Sequence, residues 1–436
     1  MQVPLRYGTA GLTLNIPDSW DVTVVARRRM VVMPDPAAGV EAALDNPVGS
    51  AGLGVEARGA KKACILVCDF TRPVPNGLVL RPLITRLLDA GLHRKSITVL
   101  VATGLHRPNE GEELAAIIGD PWVFDNAVVV NHFARRDEDH VLLGTTSQGI
   151  PVRLDRRLVD AQVRIAVGLV EPHFMAGWSG GRKLILPGVS HADSIMAFHS
   201  ARMLTHPRVV PGTLRDNPLH EAQTEALKMV GRALAMNVVI DDDRKLAFAS
   251  FGGIEESLSD TVAFAERHVR VRLPRAFPVV LSTGAGYPLD ATYYQAVKGI
   301  CAGMSVLEPG GVLFLVSACQ EGLGTKDFLA AQERLLNLGR QPFLREAVMK
   351  SRSPIDEWTT VMLAMALNKG TVHLFSEGLS PVQIAATGAV PCHDLSGDLR
   401  RAVQKAEGRR LAVIPEGPYV AAETESESEG GGDEVA

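Results

Sequence analysis

The chain is built on short, wholly apolar runs, each ending in polar residues and each separated from the next by an amphipathic stretch. KACILVCDF (62–70), SITVLVAT (96–103), AVVVNH (127–132) and RIAVGLV (164–170) are the first four. A strand covered on both faces reads as a continuous apolar run, and strands alternating with helical segments are crossover units of a parallel sheet. Helical signals at about Leu78 to Ala90, stopped by Gly91, and from Asn109 to Ile118 lie between these runs. The pattern predicts an α/β fold whose mainly parallel sheet is flanked by helices.

The alternation resumes beyond Pro274 and Pro278 with FPVVLSTGAG, GGVLFLVSA, TTVMLAMALNKG and TVHLFSEG, so a second, smaller α/β domain is expected. At 436 residues the chain has room for two or three domains of about 150 residues. The expected division is residues 1–272 and 273–410, with a late strand in LAVIPEGPYV bringing 411–421 back to the first domain and a site in the cleft between the two. The first 60 residues should give a small β element around GLTLNI and a loop-rich connection from Pro34 to Gly59. ALKMVGRALAMN (226–237) reads as a helix and NVVIDDD (237–243) as a strand. The tail, 422–436, is acidic, Gly-rich and nearly without apolar residues, and is expected to be disordered.

Composition narrows the partners. A formal net charge of −4, with no basic patch beyond Arg27–Arg29, gives no nucleic-acid surface. No apolar run is long enough to span a bilayer, and the start MQVPLRYGTAG lacks the features of a signal peptide, so no membrane partner and a cytoplasmic location are expected. The oligomeric state is not legible. Five cysteines lie mostly inside apolar runs and read as buried thiols. Cys64 and Cys68 share a strand face without the second pair that a zinc site needs.

Parallel strands deliver their polar ends to one edge of a sheet, where open α/β folds bind ligands. That edge should gather Asp69 and Arg72 on a turn stiffened by Pro73 and Pro75, His106 after a Thr-Gly-Leu step, and Glu171, Pro172 and His173. An Asp there suits ribose hydroxyls and an Arg suits a carboxylate. In EPHFMAGWSGGRKLILPGVSHADSIMAFHS (171–200), the turn Ser179, Gly180, Gly181 can offer backbone N–H groups to a phosphate. Lys183 can pair with that phosphate or, desolvated, become an amine nucleophile. Further on, Gln295 and Lys298 are three residues apart on one helix face. Each residue also has a plain structural role, as a hydrogen-bonded His, a tight turn or a rigidifying ion pair. Their concentration on one edge favours a site. Three histidines, His106, His173 and His199, also allow a zinc hydrolase or lyase, and the cleft allows a non-catalytic sensor of a sugar acid or nucleotide.

Four pieces, CDFTRPVP, ATGLHRP, EPHFMAGWSGGRKLILPG with the downstream His199, and GYPLDATYYQAVKG, stand in an order that resembles the nickel-dependent lactate racemase family. The resemblance implies a two-domain α/β isomerase of a 2-hydroxy acid, lactate-like or larger, working by hydride transfer. It implies a nickel pincer nucleotide, pyridinium-3,5-bisthiocarboxylic acid mononucleotide with Ni, linked covalently to Lys183 and loaded with the help of cofactor-synthesis enzymes. His199 would complete the nickel coordination, and His106 and His173 would be the acid/base pair. Asp69 and Ser179 to Gly181 would touch the cofactor. Arg72 would clamp the substrate carboxylate, Gln295 and Lys298 would orient the substrate, and Tyr294 and Trp358 would wall it. Racemisation by hydride removal requires a base for the hydroxyl proton on each face of the substrate, which two imidazoles can provide. Phe70 and Trp178 are bulky residues within these motifs that would reshape the pocket.

Overall fold

The computed structural model describes residues 1–425. Its first sheet orders six strands as Leu246–Gly253, Leu234–Ile240, Val163–Leu169, Ala63–Cys68, Ile97–Ala102 and Val128–Asn131. All neighbours are parallel except the first two, which form an antiparallel pair. Every residue of Ala63–Cys68 is buried, as its unbroken apolar run requires. The strand order turns at this strand: Ile97–Ala102 lies on one side of it and Val163–Leu169 on the other. Such a switch point leaves a crevice beyond the carboxyl ends of the two central strands. Asp69 to Arg72 and Glu171 to His173 emerge there.

The second sheet orders Val390–Pro391, Thr371–Phe375, Leu307–Val316, Phe277–Thr283, Arg410–Ile414 and Asp21–Val24, all parallel. Two expectations are corrected by this order. Residues 411–414 pair with Phe277–Thr283 in the second sheet instead of rejoining the first, and Asp21–Val24, expected within the first domain, forms the edge of the second sheet. The reach back comes just afterwards, where the turn Gly417–Tyr419 packs on both the helix Tyr293–Val306 and the strand Pro172–His173.

Other departures have local causes. Residues 422–424, expected in a disordered tail, belong to the strand Ala421–Thr424, which runs parallel to Arg270–Leu273; residues 426–436 lie outside the described residues. The supposed loop after Pro34 contains the helix Pro36–Asp45, started by Asp35, whose carboxylate accepts from Ala38 N at 3.0 Å, and by a proline in the first turn. The helix Pro218–Val230 stops at Gly231, whose φ is 84°, so the LAMN portion of the expected helix becomes buried strand. All five cysteines are free and buried. Among the described residues no helix is long and apolar enough to cross a membrane. One buried apolar cluster runs from Ile65 and Val167 in the first sheet to Val297 and Leu363 in helices of the second, so the cleft has packed walls.

Candidate active site

At the rim of the cleft Asp69 Oδ2 lies 2.5 Å from His106 Nδ1, while Thr71 Oγ1 and Thr71 N donate to Asp69 Oδ1 at 2.6 and 3.1 Å. Burial alone would raise the Asp69 pKa, but the hydrogen bonds from His106 and Thr71 outweigh it and hold the carboxyl below its ordinary value. An ionised carboxylate only accepts, so His106 Nδ1 carries the hydrogen, and in the neutral ring Nε2 presents a lone pair. The His106 side chain is 47% exposed, so that lone pair can reach a ligand in the cleft. Asp69 has both oxygens engaged by protein and orients His106 instead of offering a free carboxylate to a ribose.

The floor is different. His173 is buried on the short strand Pro172–His173, and its Nδ1 accepts from Met175 N at 3.2 Å and Ala176 N at 3.1 Å. Its neutral ring must then carry hydrogen on Nε2. Burial, followed by the charges of Lys183, Arg72 and Lys298, pushes its pKa well below the usual histidine value. Around it a small pocket of about 20 Å³ is lined by Arg72, Glu171, Lys298 and Tyr419. Arg72 Nε pairs with Glu171 Oε1 at 3.0 Å and its Nη1 donates to Thr71 O at 3.1 Å, which fixes the plane of the guanidinium. Lys298 Nζ donates to Gln295 Oε1 at 2.5 Å, and burial plus the charge of Arg72 lowers its pKa to about 7. Burial and Arg72 likewise lower Lys183 to about 8, a value at which an amine is substantially nucleophilic near neutral pH. Helices and loops of both sheets therefore meet on this pocket.

His199 caps the carboxyl end of the helix Ala192–Phe198, and its Nδ1 donates to Ile195 O at 2.9 Å. Burial lowers its pKa to about 4, which leaves a neutral imidazole whose Nε2 is free to bind a metal. The Trp358 ring packs on His199 at a centroid distance of 4.8 Å, and its Nε1 donates to Tyr294 Oη at 3.1 Å. Trp358 and Tyr294 thus support the histidine rather than walling the Arg72 pocket.

The Ser179 to Gly181 turn does not present the phosphate cradle its sequence predicts. Ser179 Oγ donates to Leu169 O at 2.7 Å, and Gly181 N donates to Asn237 Oδ1 at 2.9 Å. A Cβ on Gly168 would collide with Gly181 N, and one on Gly181 would lie 3.1 Å from Ala166 Cβ. These glycines let the turn lie against the sheet. Trp178 is 1% exposed and packs with Met30 and Val170, so it does not shape the pocket. Phe70 does stand at the rim, 6.3 Å from the His106 ring. Among the described residues no three His, Cys, Asp or Glu side chains gather as a metal site, so His106, His173 and His199 do not form a zinc centre. Sequence reasoning placed Glu171 on the site edge without a role and left Tyr419 out of the site. Glu171 was visible at a strand end, whereas Tyr419 arrives from the other sheet with no local signal.

Two family profiles match the chain: the lactate racemase N-terminal domain over residues 7–212 and the lactate racemase C-terminal domain over residues 275–421. A lactate racemase of Thermoanaerobacterium thermosaccharolyticum is 31% identical over 432 residues, covering 96% of this chain and 98% of that protein. A lactate racemase of Lactiplantibacillus plantarum is 32% identical, covering 87% and 89%. The solved structure of the lactate racemase apoprotein from T. thermosaccharolyticum superposes with a TM-score of 0.90 at 29% identity, covering 97% of this chain and all of that one. A protein from Thermotoga maritima, at 16% identity and a TM-score of 0.66 over 92% of this chain, shares the fold.

Proposed function

This chain belongs to the lactate racemase family of isomerases, and on that premise we propose that it inverts the carbinol carbon of a 2-hydroxy acid, lactate being the reference substrate. The observation that supports this most is the pair of histidines in complementary states, His106 bonded to Asp69 and His173 lying among the charges of Lys183, Arg72 and Lys298. His106 Nε2 is ready to take the hydroxyl proton of the enantiomer whose hydroxyl faces the rim. His173 presents Nε2–H to an oxygen facing the floor. A neutral imidazole held by backbone N–H groups is a competent donor to a carbonyl oxygen. It serves as base on that side only in the other tautomer, with the hydrogen moved from Nε2 to Nδ1 at the cost of the bonds from Met175 N and Ala176 N. Arg72, pinned through Nε and Nη1, turns its remaining N–H groups to the substrate carboxylate, and Lys298 adds a donor beside it.

The residues present fit the nickel pincer nucleotide. Lys183 offers an amine of lowered pKa for a covalent link, and His199 offers one neutral imidazole nitrogen held by an outer hydrogen bond. One protein ligand suffices where the group brings its own soft donors. Bound there, the group would supply the hydride acceptor that no side chain provides. The chain itself orients the carboxylate and handles the hydroxyl proton.

Intact mass and metal analysis of protein made together with the cofactor-synthesis enzymes tests the reading. The expected result is an adduct on Lys183 with one equivalent of nickel, and loss of adduct, nickel and racemisation in Lys183→Ala. An adduct on another residue, or racemisation without one, would contradict it.

A further inference from the structure

The main-chain groups that fix the tautomer of His173 are themselves held from another part of the chain. Met175 O and Ala176 N belong to one planar peptide unit. Its N–H donates to His173 Nδ1 at 3.1 Å, and its carbonyl accepts from Asn217 Nδ2 at 3.0 Å. A hydrogen bond on the carbonyl side polarises the unit and strengthens its N–H as a donor. Asn217 is fully buried, and its Nδ2 also donates to Thr213 O at 3.1 Å. The turn after His173 lies against the same segment. Gly212 N donates to Gly177 O at 2.8 Å, and a Cβ on Gly177, whose φ is 73°, would collide with Thr213 O.

Asn217 also caps the helix Pro218–Val230, its Oδ1 accepting from Leu219 N at 3.0 Å. Capping needs only that oxygen, which Ser or Asp supplies about equally well. An amide is required where the same side chain must accept and donate at once. Here the donor end serves the peptide that faces the histidine. Asn217 lines neither the small pocket nor the larger cavity beside it, so it can act on the reaction only through His173.

We propose that Asn217 is a positioning residue for the reaction, holding the Met175–Ala176 peptide in the plane that keeps the hydrogen of His173 on Nε2. The inference rests on the functional reading above, in which His173 faces the substrate.

The test uses the full cofactor-loaded chain with ¹⁵N-labelled histidines, the His173 signals being those lost in His173→Ala. Asn217→Ser and Asn217→Asp both keep a capping oxygen and remove the amide donor. Near neutral pH the parent should show His173 as the Nε2–H tautomer alone, and both variants should show the Nδ1–H tautomer beside it. In both, kcat for lactate should fall about tenfold, with KM, adduct and nickel at parental levels. A single Nε2–H tautomer in both variants overturns the inference and leaves the functional reading standing. A mixed tautomer with parental kcat would remove His173 from the chemistry and overturn both. Loss of adduct or nickel in both variants would make Asn217 a residue of the fold alone, and also overturn the inference.

Discussion

The rim and the floor of the cleft each hold one histidine, and the two are chemically unlike. His106 is half exposed and bonded through Nδ1 to an ionised carboxylate, which leaves a basic Nε2. His173 is buried among cations and bonded through Nδ1 to two backbone N–H groups, which leaves an Nε2–H. Residue type therefore does not set the role. The partner of the second ring nitrogen does. A racemase meets both faces of its substrate, and in the proposed mechanism His106 would be the ready base to one and His173 the ready donor to the other.

The sharpest way to break this comparison is to remove the carboxylate that makes His106 a base. In Asp69→Asn the amide can turn its NH₂ toward Nδ1 and select the wrong tautomer. Steady-state racemisation should fall about 10²- to 10⁴-fold while nickel and adduct stay at parental levels. A fall of less than about threefold would make Asp69 a turn residue only. His173 has no equivalent partner to mutate, since its partners are main-chain groups.

Next in size is Arg72→Lys, which tests whether the floor is organised by charge or by geometry. A lysine keeps the charge but loses the planar fork that Glu171 and Thr71 hold. KM should rise about ten- to a hundredfold, the span that a charge-assisted hydrogen bond of about 1.5–3 kcal/mol allows, with loading unchanged. An unchanged KM would move the carboxylate contact to Lys298.

The smallest effect is on stability. His173 and His199 are kept neutral in the folded state with pKa values below the ordinary 6.5, His199 at about 4. The unfolded chain binds protons first as pH falls, so stability is intact above about pH 6.5 and is lost progressively toward pH 4, by up to about 3 kcal/mol for His199 alone. Tm of cofactor-free protein should drop through this window, and His199→Gln should flatten the drop. A parental curve in that variant would show that His199 is not the group responsible.

Much of this arrangement was legible because an unbroken apolar run locates a strand end within a residue or two. Asp69, Arg72, His106 and His173 follow directly from such ends, and parallel pairing brings them to one edge. What escaped depends on contacts across the chain. Asp69 and His106 are 37 residues apart, and only adjacency of their strands turns two candidates into a dyad. Ser-Gly-Gly carries the same local signal whether it cradles a phosphate or packs on a sheet; Gly168 and Asn237 decide for packing, and neither is near it in sequence. Trp178 and Trp358 look alike as letters, yet one is core and the other supports His199. The division between the sheets was misjudged because edge strand Asp21–Val24 pairs with a strand from the far end of the chain.

A single turnover of loaded enzyme with each enantiomer of lactate, following keto-acid formation, tests the inequality of the two histidines most directly. The enantiomer whose hydroxyl faces His106 should react at least tenfold faster, since on the other side His173 must first shift its hydrogen from Nε2 to Nδ1 and give up two main-chain hydrogen bonds. His106→Ala should abolish the faster reaction and spare the slower, and His173→Ala should do the reverse. Equal rates in the parent, or loss of the same enantiomer in both variants, would contradict the account.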